Sequence, residues 1–236
     1  MPLSLRTILA AALAAGLVAG VAFFLAQLVT TAPLIRQAEV YERTAAHAGH
    51  DHGAAAEENE WEPADGAERT LFTLGADVLV GIGYAFLLTG AIALRGRPIS
   101  PASGLMWGLA GFAVFVAAPS IGLSPEPPGG HPGDLLARQI WWIGAAAATA
   151  AGLWLWTLRR PWLAALAALL MLAPHLIGAP KPLAPYEYEE VAYSFVLAVF
   201  ASNAVLWVAL GLVVGVALPF LAERDGLGLR RMRPAP

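Results

Sequence analysis

Three of the five histidines in this 236-residue chain stand in one hexapeptide, "HAGHDH", residues 47–52. With Asp51 they put four candidate metal ligands (His47, His50, Asp51 and His52) within six residues. Neutral imidazole and carboxylate suit divalent zinc, copper, nickel and cobalt. His47 and His50 are three apart, and His50 and His52 two apart. A glycine-containing loop can wrap these around one ion, but it does not preset the geometry of a tight structural site. The chemistry to expect is weak, exchangeable capture. A carboxylate run follows, from Glu57 through Glu58, Glu60, Glu62 and Asp65 to Glu68. The competing reading is a solvated acidic loop that contains histidine. Either way, residues 44–70 are expected to be a mobile His- and acid-rich loop.

Further candidates lie downstream. "APSIGLSPEPPGGHPGDLLARQIWW" begins at Ala118 and carries Pro119, Pro125, Pro127, Pro128 and Pro132. These prolines restrict the backbone and forbid a continuous helix, so residues 118–139 are expected to form a stiff Pro-rich loop. Glu126, His131 and Asp134 are its candidate ligands. "APHLIGAP" brackets His175 between Pro174 and Pro180. A histidine at a Pro-broken helix end is a candidate ligand or proton acceptor, or it bonds to freed backbone carbonyls. "YEYEEVAY" adds Glu187, Glu189 and Glu190. Asp77 is the one carboxylate inside a long apolar run. A charge at a membrane helix centre costs about 2.5–3.5 kcal/mol, so a carboxylate there reads as part of a cation or proton path. The alternative for Asp77, Gln27 and Asn203 is interhelical hydrogen bonding alone.

The elements that must position these groups are membrane helices. The chain is 58% hydrophobic and 13% charged, about half the charged fraction of a soluble domain. A helix needs roughly 20 apolar residues to cross a bilayer. Six runs qualify: 8–29, 71–94, 102–118, 140–158, the shorter 162–177, and 194–218. They are too long for strands and lack strict alternation. The fold class expected is all-α: a polytopic membrane protein of six transmembrane helices, with residues 1–236 forming a single membrane domain. Ser100-Pro101 and Pro161 read as helix starts and Pro219 as a helix end. The segment "PLIRQAEVYERTA" has helical character beyond the first span, with a kink near Pro33. Gly16 and Gly20 form a small-xxx-small pattern read as helix packing.

Arginine distribution sets the orientation. With the N-terminus in the cytoplasm, nine of the 14 Lys and Arg fall inside and five outside. The inner ones sit in short loops and the tail, where the positive-inside rule is strongest. Both termini are then cytoplasmic. Fourteen of the 17 acids fall outside, and all five histidines lie outside or at outer ends of spans. The loops at 44–70 and 118–139 are therefore both expected to be extracytoplasmic.

The absence of cysteine removes disulfides and thiolate sites. There is no phosphate-binding loop, dinucleotide fingerprint, hydrolase elbow or basic nucleic-acid patch. No enzymatic activity, no tightly bound cofactor and no nucleic-acid partner are expected.

"TAPLIRQAEVYE", the His-rich acidic loop, "PSIGLSPEPPG", "RQIWW" and "PHLIGAP" occur in this order along nearly the whole chain. Together the set resembles CbtA, a family of predicted cobalt transporter subunits. The resemblance implies an integral protein of a bacterial inner membrane, associated with cobalt uptake for cobalamin synthesis. It also implies a small one-span membrane partner that carries histidines, and it points to Glu126, Arg138, Gln139 and His175. The expectation is uptake of a divalent transition metal: cobalt first, with nickel and zinc open. The ion would be captured by His47, His50, Asp51 and His52, passed by Glu126, His131 and His175, and received at Asp77. The rivals are a non-transporting accessory protein that positions or stabilises a partner transporter, and a membrane enzyme built on His175 and Glu126. Assembly into a homo-oligomer is open.

Overall fold

The structure is a computed structural model that describes residues 3–48, 61 and 63–231, with side chains left out at 43–48 and 227–231. The described residues are helical, without strands. Seven helices follow in order: α1 Leu5–Val29, α2 Thr31–Ala48, α3 Ala67–Arg95, α4 Pro101–Gly122, α5 Leu135–Trp156, α6 Pro161–Ile177 and α7 Glu189–Arg231. By length and composition, four of them can cross a bilayer: α1, α3, α4 and α7 up to Gly226. α6 is apolar but shorter. α5 has 22 residues, about 33 Å at 1.5 Å per residue, and its composition is rich in Ala and Trp.

The starts of α4 and α6 follow from proline's fixed φ at the first helical position. Ser100 precedes Pro101, and Ser100 and Ser103 cap reciprocally: Ser103 N donates to Ser100 Oγ at 3.3 Å and Ser100 N to Ser103 Oγ at 2.8 Å. The break between α1 and α2 falls at Thr30. Pro33 then sits in the first turn of α2, where an N–H has no helical partner to lose. α4 contains a π-helical stretch, Ala113–Ala117, in which Ala118 N donates back to Ala113 O. This wider turn precedes Pro119 and lets the helix run on to Gly122. The Pro-rich segment is helical at both ends, because α4 reaches Gly122 and α5 begins at Leu135.

One expectation is corrected: Pro219 does not end the last helix, which continues to Arg231. A proline costs a helix one hydrogen bond, and here tertiary contacts offset the loss. Ser4 Oγ donates to Asp225 Oδ2 at 2.6 Å, and the Thr7 hydroxyl donates to the same oxygen. The extension is thereby tied to the first turn of α1.

The chain divides into two compact units. The first comprises Met1–Ala26, Pro63–Gly111 and Asn203–Pro236. It is built on close helix crossings. Gly16 and Gly20 of α1 face Ile82 and Val78 of α3, and a Cβ on Gly20 would stand 2.6 Å from Val78 Cα. Gly104 and Gly108 of α4 lie against Gly211 and Trp207 of α7, where an added Cβ would overlap carbonyl oxygens. Such pairs bring backbones together, and dispersion and Cα–H···O contacts then replace the hydrophobic drive that lipid does not supply. Trp207 is buried, with the Tyr84 ring 4.8 Å from its own. Asp77 is buried in this unit, and its carbonyl oxygen lies 2.8 Å from where a Gly20 Cβ would be.

The second unit comprises Gln27–Glu62 and Phe112–Ser202. α5 and α6 form an antiparallel pair joined through residues 157–160. A Cβ on Gly152 would stand 2.6 Å from Met171 Cγ and 2.9 Å from Ala167 O. Phe115, in the π-helical stretch, has its ring 6.2 Å from Trp142 of α5, and Phe112 meets Phe200 edge-on at 5.9 Å.

Candidate functional site

In the second unit three segments converge on a cleft of about 300 Å³. The middle of α2 supplies Ala38, Tyr41 and Glu42. The segment after α4 supplies Pro128, Gly129, Gly130 and His131, and the segment before α7 supplies Pro185, Tyr186, Glu187 and Tyr188. The segments are fastened to one another. Leu183 N donates to His131 O at 2.9 Å, and the Tyr186 hydroxyl donates to Pro128 O at 3.1 Å. Gly129 has φ 80°, a left-handed conformation that glycine adopts at no steric cost. The Glu42 side chain lies beside this turn, 3.5 Å from where a Gly129 Cβ would stand. Tyr41 stacks on Tyr188 with centroids 4.1 Å apart and planes 15° apart. The same two rings also line a second hollow of about 370 Å³, with Leu34, Gln37, Glu189, Glu190, Val191 and Ser194.

Burial and the Glu42 carboxylate raise the Tyr186 phenol above its ordinary pKa, with smaller contributions from Tyr188 and Tyr41. Both effects disfavour the phenolate. The hydroxyl therefore stays a donor to Pro128 across the physiological range.

His131 lines the cleft. Glu126 is exposed on the same segment, and its Oε2 lies 3.2 Å from the position of a Gly130 Cβ. Asp134 caps α5, with its Oδ1 accepting from Ala137 N at 2.8 Å. Arg138 and Gln139 occupy the first turns of α5.

His175 lies among other neighbours. It sits in the last turn of α6, which ends where Gly178 N donates to Pro174 O at 3.0 Å. The same oxygen accepts from Trp141 Nε1 at 3.1 Å, and the Trp141 ring meets His175 edge-on at 5.7 Å. The Trp141 ring also covers Gly122, where no side chain would fit. His175 Nδ1 is buried and has no hydrogen-bond partner among the described residues. His175 is not among the described residues lining the cleft, and Asp77 belongs to the first unit.

His50, Asp51 and His52 lie outside the described residues. So does the side chain of His47, whose backbone is in the last turn of α2. Among the described residues, no three His, Asp or Glu side chains are grouped so as to hold a metal ion. Tyr41, Glu42, Tyr186 and Tyr188 were missed as site residues in reading the sequence. The signal for them was the alternation of tyrosine and glutamate in "VYE" and "YEYEE".

No curated protein and no solved structure matches this chain. The sequence model of one family, the probable cobalt transporter subunit CbtA, matches residues 5–219. That match runs from the first residue of α1 to Pro219 in α7 and takes in both units, their glycine crossings and all three segments of the cleft. The chain belongs to the CbtA family of probable cobalt transporter subunits.

Proposed function

We propose that this protein is the membrane subunit of a divalent-metal uptake system, with cobalt as its substrate, in the inner membrane of a bacterium. The observation that carries the reading is the family match over residues 5–219. The apolar helices support it, as does a cleft lined by carboxylates, phenols and His131. In this reading the chain crosses the bilayer six times, α5 and α6 included, with both termini in the cytoplasm. The His-rich segment around His47, His50, Asp51 and His52 gathers ions at the outer face. Glu126, His131 and His175 pass them inward, and Asp77 accepts the cation or a coupled proton. Imidazole binds metal only when neutral, so capture weakens as pH falls below the ordinary histidine pKa, about 6.5.

A small His-bearing membrane protein is the partner this reading expects. Because the family is one of transporter subunits, a second reading is favoured too. In it, this chain positions or stabilises a partner transporter and moves no ion itself. Cobalt uptake by cells producing the chain with and without such a partner separates the two. Uptake that depends on this chain, and that falls in an Asp77→Asn, His175→Ala double variant, supports the path. Unchanged uptake in that variant removes it.

A further inference from the structure

We propose that the cleft between Tyr41, Tyr186 and Tyr188 binds a divalent cation with its shell of coordinated water intact, held by Glu42 and Glu187. The inference rests on the metal-uptake reading and deepens it by assigning the form in which the ion is first held and the residues that hold it.

Size is the first ground. Six waters at about 30 Å³ each occupy roughly 180 Å³, and the cleft offers about 300 Å³. A hydrated ion fits with room to enter and leave. Chemistry is the second ground. A hydrated dication turns only O–H donors outward, so its complement is a wall of acceptors. The described lining residues include two carboxylates, three phenols and an imidazole, and none of them is Lys, Arg, Asn or Gln. The aromatic faces add attraction for a cation at the same walls.

The walls are set before any ion arrives. Tyr186 is bonded to Pro128, and Tyr41 is stacked on Tyr188. Outer-sphere holding also suits a transporter. The ion is concentrated by charge, yet it remains free to exchange its waters for the histidines and carboxylates of the path beyond.

Hexaamminecobalt(III) tests this directly. It is octahedral, close in size to a hexahydrate, and inert to ligand exchange, so it binds only where an intact shell is accepted. Calorimetry on the full chain in zwitterionic nanodiscs should show it binding, with Co(II) competing. Glu42→Gln with Glu187→Gln should weaken binding at least about tenfold, and Glu42→Asp with Glu187→Asp should restore it to within about threefold. Helicity and monodispersity distinguish lost binding from lost folding.

Undiminished binding in the folded Gln variant would overturn the inference. So would Co(II) binding without hexaamminecobalt(III) binding, or displacement by tetramethylammonium at a similar concentration. The two readings fail separately. If cobalt uptake persists while the cleft ignores hexaamminecobalt(III), this inference falls and transport stands. If the Glu-dependent binding is present and no cobalt is taken up, the cleft stands and the transport reading falls.

Discussion

The indole N–H of Trp141 donates to the carbonyl oxygen of Pro174 at 3.1 Å, one residue before His175, so α5 holds the end of α6 by its last turn. The same ring packs on His175 and over Gly122. One side chain thus fixes three segments of the second unit. Trp141→Phe removes the donor and the edge of the indole that covers Gly122, while Pro174 O still accepts from Gly178 N. The expected cost is about 1–3 kcal/mol, each kcal/mol lowering the thermal midpoint by roughly 2–4 °C for a chain of this size. Trp141→Ala also empties a buried space and should cost about 3–5 kcal/mol. Thermal unfolding of both variants in one detergent checks the order and the gap.

The glycines of the first unit divide into two kinds. A Cβ on Gly108 would overlap Trp207 O, whereas one on Gly83 meets nothing within 4 Å. Gly108→Ala must force α4 from α7 and should destabilise by about 1–3 kcal/mol. Gly83→Ala should be neutral or stabilise by up to about 1 kcal/mol, because alanine favours the helix more than glycine does. Equal effects of the two changes on the thermal midpoint would contradict the crossing as described.

The Tyr186 phenol should titrate late. Its pKa is raised above the ordinary phenol value of 10.0 by burial first and Glu42 second. The folded state therefore holds this proton more tightly than the unfolded chain. Its contribution to stability is complete below the ordinary phenol pKa and is lost as pH rises through the raised one. Phenolate absorbance of wild type minus Tyr186→Phe should show a midpoint above 10.0. Glu42→Gln should move that midpoint down.

The chain has no cysteine, so a single introduced thiol reports its own side of the membrane. Ser124 and Arg160 are both exposed, and they flank α5 in sequence. If α5 crosses the bilayer, the two positions face opposite sides. If the arginine-rich connections lie inside, Ser124→Cys should react with an impermeant maleimide in intact cells. Arg160→Cys should react only after permeabilisation. Labelling of both in intact cells would show that α5 does not span.

The parts of this fold that sequence reading found are those fixed locally. Long apolar runs became helices, Pro101 and Pro161 started them, and Gly16 and Gly20 packed against a neighbouring helix. What it missed depends on partners distant along the chain. Pro219 reads as a helix end until Ser4 and Thr7 hold Asp225 beyond it. The π-helical turn at Ala113–Ala117 has no periodicity of its own to announce it. The cleft was invisible for the same reason, because Tyr41 and Tyr188 are adjacent only after α2 and the segment before α7 come together. Glu126 and His131 are legible in the sequence only as candidate ligands on a loop, and the tyrosines that share the cleft with His131 are not.

Cobalt accumulation in cells lacking their own uptake systems, with and without this chain and the small His-bearing membrane protein proposed as its partner, tests the central claim most directly. The account predicts accumulation that requires this chain, falls with nickel or zinc in competition, and weakens as pH drops through the histidine range. Accumulation unchanged by removing this chain while the partner is present would contradict it.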